Sequence, residues 1–203
     1  MYKQAEFTIK SIAPLLMHDR NKLVNPLHPL TKELKRFTGK QKKTEEDLMA
    51  LAKLEWLAGM YLTEAPSVDI QGGNVKFKGG GVPCLPSSVL EGTLINGAKK
   101  HKMGTKFKSG ILIDQDSMLE YTGPKKLEEM WADGNFTDIR PVQVQRNSVM
   151  RCRPIFNAWS ATFVVNYLPN VVNKDQIQEA LESAGQEAGV GDYRPKYGRF
   201  LVA

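Results

Sequence analysis

The sequence predicts an α+β fold with an antiparallel sheet, and three observations carry that prediction. Several segments alternate apolar and polar residues with period two, as half-buried strands do. Other segments place apolar residues at helical spacing behind good capping residues. Strands and helices follow one another in the order βαββαβ. Apolar residues make up 41% of the 203 residues, enough for one well-filled core and too many for a disordered chain. The chain is therefore read as one domain, 1–203.

The first strand is 5–12, where Ala5, Phe7 and Ile9 alternate with Glu6, Thr8 and Lys10 before Pro14 ends it. Residues 14–83 are expected to be an insertion rich in cations, including Lys32, Lys35, Arg36, Lys40, Lys42 and Lys43, with a short helix at 30–37. It also holds a stronger helix, 44–61. Thr44 caps it, Glu45, Glu46 and Asp47 suit its positive end, and Leu48, Leu51, Leu54, Ala58 and Tyr61 form its stripe, widened by Ala52 and Trp56. A hairpin is expected around Gly72-Gly73. Ser88 with Glu91 reads as a capping box opening a helix to about Lys100. Gly92 and Gly97 inside it imply close approach to a strand or to a phosphate backbone. A strand at 110–113 and a short helix at 125–131 follow. Strands 141–150 and 156–167, joined near Arg153-Pro154, a helix 174–188 capped by Asn173, and a last strand 199–202 complete the expected core. That order is ferredoxin-like, or RRM-like, with a helical insertion after the first strand.

The formal charge of +6 points toward an anionic partner such as nucleic acid. Cys84 and Cys152 have neither zinc spacing nor a Cys-x-x-Cys partner, so no metal is expected and the thiols read as reduced. No cofactor is expected. Met1 to Glu6 contains no apolar signal core and no apolar run reaches membrane length, so a cytoplasmic protein without a membrane partner is expected.

Four groups of residues are candidate nucleic-acid contacts. The glycine-rich stretch 189–198, with Gly189 and Gly191 beside Arg194, Lys196 and Arg199, is either a backbone cradle for phosphate or a structural turn. Arg140, Arg146, Arg151 and Arg153 lie on or near one strand pair among Gln143, Gln145, Asn147 and Asn157, with Phe156 or Trp159 as stacking surfaces or as core. Lys99 and Lys100, followed by His101 and Lys102, either contact phosphate or complement a helix dipole. The basic run 32–43 is a thumb over a strand or a mobile loop. Walker, His-Glu-x-x-His and Gly-x-Ser-x-Gly signatures are absent, and Asp114 with Asp116 is weak metal chemistry, so the sequence leans away from an enzyme.

Three stretches carry a resemblance. They are Ile12-Ala13-Pro14-Leu15-Leu16, then Leu85-Pro86-Ser87-Ser88-Val89-Leu90-Glu91-Gly92, then Gly189-Val190-Gly191 through Tyr197-Gly198-Arg199-Phe200. Together they resemble the RAMP superfamily, the ferredoxin-like backbone proteins of CRISPR effector complexes. Pro86, Glu91 and Asp192 depart from the family pattern, and the chain looks like a stand-alone relative from a phage or mobile element. The resemblance implies largely sequence-independent binding of single-stranded RNA or DNA, with self-association along the nucleic acid. Its alternatives are a RAMP-type endoribonuclease using His18 or His28, and a protein-binding module that interferes with CRISPR complex assembly.

Overall fold

The computed structural model describes residues 1–144 and 146–203; Gln145, placed on a sheet face by the alternation, lies outside the described residues. The protein is mixed α+β with antiparallel sheets. It comprises two compact units. The first is Met1–Leu16, Pro83–Thr122 and Phe156–Ala203; the second is Met17–Val82 and Gly123–Ile155.

The first unit is built on β1 (Lys3–Ser11) and β2 (Leu15–Leu16), and, further along the chain, β5 (Cys84–Leu85), α4 (Ser87–Lys100), α5 (Gly104–Gly110), β6 (Ile111–Leu112), β7 (Ser117–Glu120), β10 (Ser160–Tyr167), α7 (Lys174–Ser183) and β11 (Phe200–Val202). Its sheet runs β11-β1-β10-β7-β5, with β6 also on β10. The alternation in β1 places Ala5, Phe7 and Ile9 in the core, and β10 pairs with it from Lys3↔Tyr167 to Lys10↔Ser160. Helices α4 and α7 pack directly against each other, which puts both on one side of the sheet.

Gly97 permits that helix contact. A Cβ at position 97 would sit 1.9 Å from the Ala180 carbonyl oxygen, so the close approach expected from its glycine is to a neighbouring helix, neither a strand nor a phosphate. Gly92 faces open space. The start of α4 differs from the expected capping box. Pro86 is the N-cap and offers no side-chain acceptor; Ser88 is already inside the helix. Asp116 instead accepts the Ser87 N–H at 2.8 Å, and Glu91 accepts the Ile113 N–H at 2.8 Å. Asn173 caps α7 as expected, in a reciprocal box with Gln176. Beyond Ser183 the helix widens into a π-helical turn, Ala184–Ala188, where a Cβ on Gly185 would come within 2.2 Å of the Phe200 carbonyl oxygen.

The second unit holds α1 (Arg20–Val24), α2 (Pro29–Thr38), α3 (Glu45–Gly59), the hairpin β3 (Ser67–Gln71) and β4 (Asn74–Lys78), α6 (Leu127–Asp133), and the hairpin β8 (Thr137–Val144) and β9 (Asn147–Phe156). Thr44 and Asp47 form the N-terminal box of α3, and a hydrogen bond from Lys40 holds the Asp47 carboxyl below its ordinary pKa. Trp56 is fully buried, donating from Nε1 to the Phe136 carbonyl at 2.8 Å, whereas Leu48 is exposed and Leu51 half-buried. The stripe fails in its first turn because α3 is enclosed from Lys53 onward, on nearly every side rather than on one face. Lys53 is buried there because Glu128 at 2.6 Å and the Val75 carbonyl at 2.7 Å take up its ammonium. Over residues 29–38 the chain that includes most of the 32–43 run is a helix rather than a loop. Leu30, Leu34 and Phe37 bury one side of α2.

Two sequence expectations about strands are corrected. Residues 141–150 do not join 156–167 in one sheet. They belong to the β8–β9 hairpin, and the partners of β10 are β1, β6 and β7. Period-two alternation identifies a half-buried strand without naming its neighbour, and β7, at four residues, is too short to show the pattern. Arg153-Pro154 is no turn either. Both lie within β9, with Pro154 opposite Thr137 at the end of the register, where a missing N–H is tolerated.

Replacing Gly97 by alanine is expected to lower stability by about 1–3 kcal/mol through overpacking. Replacing Gly92 by alanine is expected to raise it by up to about 1 kcal/mol, since a helical glycine with free space around it carries only an entropic cost. Urea denaturation of the two variants reads both signs.

Candidate nucleic-acid interface

An antiparallel register turns neighbouring positions into same-face clusters. In β9, Arg151 and Arg153 are two residues apart and share one face, while Cys152, Pro154 and Phe156 are buried on the other. Across the ladder Arg140 lies opposite Arg151 and Asp138 opposite Arg153. Three guanidinium groups thus meet on one hairpin face. Like charges directly opposite repel, and two carboxylates answer them. Arg140 ion-pairs with Asp138, and Arg151 donates to Glu55 of α3 at 2.5 Å. Glu55 also accepts the Cys152 N–H at 3.1 Å. Glu55 is 7% exposed, so it depends on both partners. Arg146, by contrast, is exposed beyond β8.

Beside this hairpin, α1, α2, α3 and β9 line a partly open cavity of about 250 Å³. His18, Lys35, Glu55, Arg151 and Arg153 bring its charged and titratable groups, and Leu23 and Leu34 give it an apolar wall. The cavity also touches Cys152, whose thiol pKa is pushed up to about 12 by burial and then by the Glu55 and Asp138 charges. A thiol held in its neutral form is neither a nucleophile nor a metal ligand. Compared with known proteins, the chain matches no family model and no curated protein.

The glycine-rich loop has other uses for its amides. The N–H groups of Gly189, Val190, Asp192 and Gly198 donate to the carbonyls of Ala184, Gly198, Leu16 and Pro14 at 2.7–2.9 Å. Gly191 and Gly198 have positive φ, and a Cβ on them would meet the Leu16 and Val190 carbonyl oxygens at 2.4 and 1.7 Å. These contacts are what a structural turn requires. Arg194 and Lys196 remain exposed on the loop, and Arg199 Nε donates to the Pro195 carbonyl at 2.8 Å. Lys99 and Lys100 sit in the last turn of α4, where a helix dipole favours cations, and Lys100 pairs with Glu187 at 2.8 Å. The expected single groove through Arg151, Arg153, Arg194, Lys196 and Arg199 rested on one common sheet. Arg151 and Arg153 lie instead on the β8–β9 hairpin in the second unit, and Arg194, Lys196 and Arg199 lie in the loop before β11 in the first.

Phe156 and Trp159 are core residues, 0% and 4% exposed, and offer no stacking surface. His28 Nδ1 accepts the Leu30 N–H at 3.2 Å as the cap of α2. Asp116 is the partner of Ser87 already described, and among the described residues no three acidic, cysteine or histidine groups gather as metal ligands. Sequence reasoning missed Glu55. Its signal was a lone carboxylate inside the apolar run Leu54-Glu55-Trp56-Leu57-Ala58, a position that a charge occupies only with a partner.

The Glu55 contact changes the expected effect of removing the arginines. Arg151→Ala strands a buried carboxylate and is expected to cost about 1–3 kcal/mol of stability, against less than about 0.5 kcal/mol for Arg146→Ala, as read by urea unfolding. Both cysteines are buried. A thiol-disulfide reagent at pH 8 is expected to label neither in the native protein and both in denaturant.

Proposed function

We propose that the protein binds single-stranded nucleic acid through its phosphates, at the cationic face of the β8–β9 hairpin. The carrying observation is that Lys35, Arg151 and Arg153, brought from two distant stretches of chain, line one cavity with His18. Guanidinium pairs are suited to phosphate because their planar forks match its oxygens. Arg140 and Arg151 hold carboxylates, so these two side chains do not have to be ordered on binding.

In the same reading the first unit is a ferredoxin-like core. Support comes from the chain order β1, α4, β7, β10, α7, β11 and the spatial order β11-β1-β10-β7, in which the fourth strand lies beside the first and the third beside the second. The open face of that sheet argues for placing the nucleic acid elsewhere. It exposes Gln4, Glu6, Lys10, Glu120, Thr162 and Val164, so it offers neither a cationic surface nor an aromatic platform for bases. No helix among the described residues is long and apolar enough to cross a membrane.

One observation favours a second reading, an endoribonuclease. His18 shares its cavity with two arginines and a carboxylate, and an imidazole beside cations is suited to moving a proton at a phosphodiester. Shorter products on a gel, abolished by His18→Ala, would establish it.

The binding test is anisotropy of labelled single-stranded RNA and DNA against salt. Affinity is expected to fall steeply as salt rises. Lys35→Ala is expected to weaken all sequences about equally and to make the salt slope shallower by about one. Absence of binding to either strand at low salt would overturn the reading.

A further inference from the structure

The β3–β4 hairpin has one free edge. On its other side Lys53 of α3 donates to the Val75 carbonyl, and Glu128 of α6 accepts the Phe77 N–H. The backbone groups of Val75 and Phe77 therefore point away from β3, and the ladder between the strands runs through Asn74, Lys76 and Lys78 opposite Gln71, Asp69 and Ser67. Val68 and Ile70 in turn direct their N–H and C=O groups away from β4, and among the described residues no hydrogen bond takes them. Their side chains lie on the face of Phe77 and Val75, yet they are half-buried where those two are buried.

Beside this edge lies a groove of about 610 Å³, with Leu30, Lys32, Glu33 and Arg36 of α2 on one wall and Val68 and Ile70 on the other. It is separate from the cavity described above, to which α2 presents Leu34 and Lys35. A helix facing a free strand edge is the arrangement into which an extended peptide adds as a further strand. Two strands alone make a marginal sheet, and a third would cover Val68 and Ile70. A nucleic acid has no row of amides to offer such an edge. Charge selects among peptides. Glu33 is held by Arg36 at 3.1 Å, whereas Lys32 is exposed and has no acidic partner among the described residues.

We propose that this groove binds an extended, acidic segment of a partner protein, which joins β3 as a third strand. Its backbone pairs with Val68 and Ile70, alternate apolar side chains enter between Leu30 and Ile70, and a carboxylate meets Lys32. The proposal stands apart from the nucleic-acid reading and uses none of the residues assigned to it.

The probe is the peptide Glu-Val-Thr-Val-Thr-Glu, acetylated and amidated at its ends, titrated into isotope-labelled protein and followed by amide chemical shifts. Saturable shifts centred on Val68 and Ile70 are expected, with slower hydrogen exchange of those two amides. The same peptide with lysine in place of both glutamates is expected to bind about fivefold more weakly, the scale of an exposed ion pair. Lys32→Glu is expected to reverse that order, and as an exposed substitution it leaves the fold intact. N-methylation of both valines or of both threonines removes one set of alternate donors. One set is expected to abolish binding and the other to leave it, and which set does so gives the direction of the added strand. Absence of saturable shifts at these amides up to about 1 mM peptide, a bound on even weak recognition, overturns the proposal. So does an equal effect of the two methylated sets, or equal binding of the acidic and basic peptides.

Discussion

A carboxylate taken out of water must be answered by charge or by hydrogen-bond donors, and in the second unit that constraint falls on Glu55. One oxygen takes the Arg151 guanidinium and the other the Cys152 N–H, so a single side chain on α3 ties down both a side chain and the backbone of β9. The consequences spread from there. Arg151 is held in one orientation, and the Glu55 charge adds to the burial that keeps Cys152 a neutral thiol. Without Glu55 the same arginines would be long, mobile cations on a hairpin, and ordering them would cost part of any binding energy.

Repulsion is the other side of the arrangement. Arg140 and Arg151 face each other across the ladder, an arrangement that is unfavourable by itself. Asp138 draws Arg140 along its own strand and Glu55 draws Arg151 toward the helix, so each guanidinium has a carboxylate of its own. Arg153 lies on the same face opposite Asp138, and Lys35 of α2 stands at the cavity beside it.

Local chemistry was legible in the sequence; pairing was not. Thr44 and Asn173 cap the helices they were expected to cap, because the capping acceptor and its partner lie within four residues of each other. The hairpin at Gly72-Gly73 was readable for the same reason, since its turn needs positive φ at two adjacent residues. Ser88 and Glu91 had the right spacing and failed, because Asp116 and Ile113, distant in sequence, are the partners that decided the matter. Strand neighbours failed likewise. The alternation of 141–150 suggests a strand with two unlike sides and says nothing about β8 and β9 pairing apart from the sheet of β1 and β10. For the site, the arginines were visible as a cluster, but their meaning depended on Glu55, a residue almost a hundred positions away.

The glycine-rich loop shows how one sequence pattern serves two physical ends. Glycines let a backbone turn sharply and come close to another group, and a phosphate is only one such group. Here the groups approached are carbonyl oxygens of the chain itself, and they take the amide hydrogens of Gly189, Val190, Asp192 and Gly198. An N–H already bonded at 2.7–2.9 Å is not available to an anion unless the loop gives up that contact, and giving up several would undo the turn that leads into β11. The loop's cations Arg194 and Lys196 are exposed at its surface. Holding a phosphate in one position requires donors whose own geometry is fixed, and Arg151 is such a donor, fixed by Glu55 at the wall of a partly open cavity.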